Sequence, residues 1–78
     1  MKTIEERMAA AIKQRRLEVG LSQEAMASLA GVHRTYASSI ERGKVTISVD
    51  VAERIAKSLD ISLSELCKRA ELITRTSR

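Results

Sequence analysis

The chain has 78 residues, the length of one small domain, and a domain of that size buries only ~60% of its unfolded surface, so its core is thin. With 44% hydrophobic and 31% charged residues, three glycines, no proline and one aromatic (Tyr36), it reads as soluble, globular and all-α rather than strand-built. The same inventory excludes a bilayer span, an internal disulfide or CxxC metal site (Cys67 is the lone cysteine) and a deep enzyme pocket, while a net charge of +4 favours a polyanionic partner.

Local punctuation predicts five helices. The first spans Ile4 to Val19, with Ile4, Met8, Ala11, Ile12 and Val19 close to one face, and Gly20 closes it. Ser22 caps a short second helix, Gln23 to Ala30, with Glu24 in its dipole-favoured first turn. Gly31 ends that helix, and a turn containing Val32 and His33 leads into a third, Arg34 to Arg42, closed by Gly43. Ser48 caps a fourth helix running to Leu59, with Val49, Ala52, Ile55, Ala56 and Leu59 at helical spacing. Ser62-x-x-Glu65 is a capping box that opens a fifth helix carrying Leu63 and Leu66. Residues 74–78 have no apolar anchor and are expected to fray, which sets a single domain at 1–73. Charge is uneven along this order: residues 45–66 sum to −2 and residues 67–78 to +3. The acidic stretch is expected to face away from any nucleic acid or toward a partner chain.

The informative segment is Gln23 to Arg42, two short helices joined by a turn containing Gly31, the layout of a helix-turn-helix. Two steeply crossing helices need a small residue where they touch, which Ala27 supplies, and the turn needs a left-handed residue, which Gly31 supplies. Val32, Ala37 and Ile40 pin the third helix to the core. Its other face is left as Arg34, Thr35, Ser38, Ser39 and Arg42, a polar strip with arginine at both ends. A helix serving only the core has no use for such a face.

The runs Gly20-Leu21-Ser22-Gln23-Glu24, Ala30-Gly31-Val32, Ile40-Glu41-Arg42-Gly43-Lys44 and Arg54-Ile55-Ala56-Lys57-Ser58-Leu59 resemble the Cro/C1-type (Xre) family from Ile12 to Leu66. Within it, His33-Arg34-Thr35-Tyr36 followed by Ile40-Glu41-Arg42-Gly43 is similar to the controller proteins of restriction–modification systems. The resemblance implies a five-helix, lambda-repressor-like domain that binds a palindromic operator as a homodimer, with the third helix in the major groove. It places Arg34, Thr35 and Ser39 against base edges and Gln23 against a phosphate. It also implies an Arg16–Glu41 pair tying the first helix to the third. Three positions depart from the family pattern: Ala37 where a larger residue is usual, Asp60 where glycine is common after the fourth helix, and the loop Val45-Thr46-Ile47.

Bland readings stand beside these assignments. Arg34 can take a guanine edge bidentately, against an exposed arginine on a solvated helix. Ser38 shares the polar strip and is placed with the backbone contacts. Tyr36 sits off the Ala37–Ile40 face and is assigned toward DNA, against a core aromatic. Gln23 at a helix start suits an anion. Arg42 and Lys44 suit a phosphate, against merely satisfying the helix dipole. His33 is a turn residue or phosphate contact, with no second ligand to make a metal site. Cys67 is an inert small hydrophobe. Val51, Leu63 and Leu66 are assigned to a dimer interface, against an intrachain core. No cofactor, metal, small-molecule ligand or membrane partner is expected, no nucleophile–base pair supports an enzyme, and a cytoplasmic location follows. The rival functions are a phage-type repressor and an antitoxin-like interaction module with secondary DNA binding.

Overall fold

The computed structural model describes residues 3–76, with side chains through residue 73. It contains α1 (Ile4–Val19), α2 (Gln23–Ala30), α3 (Arg34–Glu41), α4 (Val49–Ser58) and α5 (Leu63–Thr76), and no strand among the described residues. The backbone of residues 74–76 continues α5 into the segment expected to fray; residues 77 and 78 of that segment lie outside the described residues.

Caps set the helix starts. Ser22 and Ser48 accept from Ala25 and Val51 N–H as expected, and His33 caps α3 by accepting the Thr35 N–H at Nδ1, 3.1 Å. Thr3 and Glu6 form a reciprocal capping box on α1, a Thr-x-x-Glu pattern that the sequence reading passed over. At α5 the Glu65 N–H reaches Ser62 Oγ at 3.0 Å, while the Glu65 carboxylate lies 3.7 Å from Arg69 Nε.

The helix ends are more uniform than the sequence suggests. Each of α1 to α4 closes with the same pair of backbone bonds, a Schellman motif. In α3, Lys44 N–H reaches Ser39 O at 3.2 Å and Gly43 N–H reaches Ile40 O at 3.0 Å, with Gly43 at φ 69°. A Cβ on Gly43 would also crowd Glu6, whose Cα and Cγ lie 3.2 and 3.1 Å from the Cβ position. This closure places the end of α3 at Glu41, with Arg42 as its cap rather than its last residue. In α4 the left-handed position is Asp60, φ 60°, the non-glycine residue flagged by its departure from the family pattern. The residue after the left-handed position is Leu21, Val32 or Ile61 in α1, α2 and α4, each packed on the core. In α3 it is the exposed Lys44.

The core is narrow. Ile12, Met26, Ile55, Leu59 and Leu66 are its largest fully buried side chains, interleaved with Ala11, Ala37, Ala56 and Ala70 at 0% exposure. Small residues at these contacts let short helices cross closely. On α1 the buried set is Ala9, Ala11, Ile12 and Arg16. Ile4 (49% exposed) and Val19 (37%) therefore lie at the ends of the helix, past its packing partners, and do not join the core face expected of them. Arginines bind the helices together from outside: Arg15 Nε donates to Leu59 O at 2.9 Å, and Arg54 Nη1 to Ala30 and Gly31 O, each at 3.3 Å. Arg69 donates to both oxygens of Glu18 at 2.9 and 3.0 Å, fastening α5 to α1. Arg69, and then Arg15, hold the Glu18 carboxyl below the usual carboxylate range.

Candidate nucleic-acid interface

The first turn of α3 follows the His33 cap directly, so Arg34 and Thr35 stand at the mouth of the helix-turn-helix rather than against it. Both are exposed. With Gln23, Ser38 and Arg42 they line a shallow polar hollow of about 270 Å³ between the start of α2 and the outer face of α3. Residues 34, 38 and 42 recur every four positions, which stacks them on one side of the helix. Of the expected contacts, Lys44 is exposed beyond the end of α3, and Ser39 lies outside the hollow, its Oγ accepting from Arg42 Nη2 at 3.4 Å. Tyr36 is half-buried and packs against the core. It precedes Ile40 by four residues and shares its side of the helix, so its placement off that face is corrected.

Behind the hollow the expected Arg16–Glu41 pair is present and nearly sealed from water. Arg16 Nε and Nη2 meet the two Glu41 oxygens at 2.6 and 3.0 Å, and the two side chains are 10% and 3% exposed. The hydrogen bond to Glu41 outweighs burial and raises the Arg16 pKa above its ordinary value, so the guanidinium stays charged. Arg16 Nη1 also donates to Leu21 O at 2.9 Å, and Gln23 Nε2 donates to Glu41 Oε1 at 3.1 Å. Sequence reasoning missed this last bond, because a glutamine at a helix start carries no mark of a partner eighteen positions on.

In contrast to the engaged arginines of the fold, Arg34 and Lys44 have no ion-pair partner among the described residues. Their charge is available to an incoming anion. No helix among the described residues is long and apolar enough to cross a membrane.

A second surface has the opposite chemistry. Ile4, Met8, Ile47, Val49, Leu63 and Cys67 line an apolar hollow of about 190 Å³ at the start of α1, α4 and α5. Val49 is 75% exposed at this surface. Of the three side chains assigned to a dimer interface, only Leu63 reaches it. Leu66 (0% exposed) and Val51 (9%) are covered by their own chain and belong to its core, which corrects their assignment. The signal was an apolar residue at the first position of α4, where Val49 has no intrahelical need.

Comparison with known proteins places this geometry. A family model described as helix-turn-helix matches residues 12–66. Control protein C.MunI of a Mycoplasma species is 46% identical over 54 residues, 69% of this chain and 73% of that protein. Control protein C.SmaI of Serratia marcescens is 35% identical over 69 residues, 88% of this chain and 82% of that protein. Among solved structures, C.Esp1396I bound to a 25 base pair operator site superposes with a TM-score of 0.80 at 31% identity, covering 92% of this chain and 99% of that one.

Proposed function

This chain belongs to the helix-turn-helix family, in the branch of the restriction–modification control proteins, and from that premise we propose that it regulates its own gene and a restriction endonuclease gene by binding a palindromic operator as a homodimer. The observation that carries the reading is the α3 face, where the exposed Arg34 has no ion-pair partner among the described residues. Two copies of α3 enter successive major-groove turns about 34 Å apart. Arg34, Thr35 and Ser39 address base edges, while Arg42, Lys44, His33 and Ser38 hold the backbone on either side. Regulation is then occupancy of a promoter, without a catalytic step, in the cytoplasm.

The second copy is placed over the apolar hollow. A two-fold operator asks for two readers in fixed relation, and the hollow brings the exposed Ile4 and Val49 together with the half-buried Leu63. Selection from a random duplex library tests the DNA half of this reading: two inverted half-sites about one helical turn apart are expected, and recovery of unrelated sequences would refute it. Sedimentation tests the other half. Val49→Arg is expected to give folded monomers with weak operator binding, and a dimer that survives it would move the interface elsewhere.

A further inference from the structure

We propose that Gln23 is a positioning residue for α3, acting through Glu41, and not simply a phosphate ligand at the start of α2. The inference rests on the operator-binding reading above. A side-chain amide offers two N–H donors. One of Gln23's is committed to Glu41 Oε1 at 3.1 Å, an oxygen that also accepts Arg16 Nη2 at 3.0 Å. The acceptor carboxylate is 3% exposed, so the bond is charge-assisted and largely shielded from competing water.

One carboxylate therefore joins three helices. Arg16 comes from α1, Gln23 is the first residue of α2, and Glu41 is the last residue of α3. Arg16 adds the turn between α1 and α2 through Leu21 O. The consequence follows from how lightly α3 is otherwise held. Its fully buried anchors are Ala37 and Ile40, with the half-buried Tyr36 beside them, and an alanine fills little space in setting a helix's rotation. The Glu41 node thus fixes the far end of α3 against α2, and the amide of Gln23 is the α2 half of that tie. Arg34 and Thr35 line the same hollow as Gln23, so the tie sets the angle at which base readers enter the groove.

A phosphate ligand and a positioning residue predict different losses. Removing a neutral phosphate contact weakens binding to every duplex alike, whereas loosening α3 costs only the contacts that need register. Gln23→Met keeps the side chain's length and removes both donors. Wild type and variant are titrated against the selected operator duplex and a scrambled duplex at one salt concentration, with thermal unfolding measured alongside. Gln23→Met is expected to lose about tenfold or more on operator, the worth of one hydrogen bond to a charged group, and no more than about threefold on scrambled DNA. Gln23→Arg keeps donors toward Glu41 and is expected to restore the operator-to-scrambled ratio. Equal losses on both duplexes, an unchanged ratio, or a ratio that Gln23→Arg leaves depressed would overturn the proposal. So would a Gln23→Met chain that does not fold, since Gln23 would then serve stability. A wild type without operator preference would instead sink the functional reading itself, a separate result.

Discussion

Arginine does two jobs in this molecule, and the two sets of side chains differ in what they touch rather than in what they are. Arg15, Arg16, Arg54 and Arg69 turn back onto the fold and meet its carbonyls or carboxylates. Arg34, with Lys44 beyond it, faces out from α3 and meets no carboxylate among the described residues. The helix closures repeat the contrast. Three of the four end in an apolar side chain tucked on the core, and the fourth, at α3, ends in Lys44. Inward arginines stand in for the hydrophobic mass that a thin core lacks, while outward cations contribute little to the fold and are available to a ligand. Net charge alone would have merged the two sets.

The contrast breaks most severely at Arg16. Arg16→Ala leaves the Glu41 carboxylate buried without its partner, and unfolding stability is expected to fall by about 3–5 kcal/mol, a large part of what a small domain has. Urea titration measures it. A loss under about 1 kcal/mol would put the pair in the class of solvated surface bridges.

Arg34→Ala tests the other set. Stability is expected to stay unchanged, since the side chain is exposed, while each half-site loses about 1–3 kcal/mol of operator affinity. Arg34→Lys is expected to recover little, because an ammonium cannot reproduce the planar fork. Competition between operator and scrambled duplex decides: equal losses on both would make Arg34 a phosphate contact and pass base reading to Thr35 or Ser39.

Asp60 separates backbone strain from side-chain chemistry. It holds the left-handed position that glycine fills in the other three closures. Asp60→Gly is expected to gain about 0.5–1 kcal/mol, the relief of an unfavourable φ less the added freedom of the unfolded chain. A loss in the same urea titration would show that the Asp60 side chain stabilises its turn by more than the strain costs.

Much of this was legible in the sequence because helix ends are local events. Ser22, Gly31 and Ser48 act on backbone groups within a few residues, and they located α2 and α4 to within a residue. The polar strip on α3 was legible for a related reason, since helical periodicity turns spacing into a face. What failed were statements about the third dimension. Leu63 and Leu66 are equally apolar and three residues apart, and only the packing of α5 on α1 and α4 decides that Leu66 is core and Leu63 lines the hollow. Tyr36 was misplaced because an aromatic beside a polar strip can lean either way. The bond from Gln23 to Glu41 joins residues on two different helices, and no local rule reaches that far.

The smallest expected effect is the most direct attack on the contrast. Lys44→Leu gives α3 the apolar finish of the other three closures while leaving its backbone bonds in place. If the four closures are one device, the folded chain should tolerate the change, with stability moving by no more than about 0.5 kcal/mol, the usual range for a surface substitution. DNA binding should respond differently. A lysine that neutralises a phosphate contributes about 0.9 to the slope of log affinity against log salt, so the paired change in a dimer should flatten that slope by about 1.8. The loss should be nearly the same on operator and scrambled duplex, because a phosphate contact carries no sequence information. Isothermal titrations across a salt series read the slope and both affinities together. An unchanged slope would mean that Lys44 faces solvent in the complex and that its exposure has another cause. A large loss of stability would mean that its aliphatic stem packs against the turn. In either case the finish of α3 would cease to be a mark of function, and Arg34 and Arg42 would have to carry the electrostatic half of binding alone.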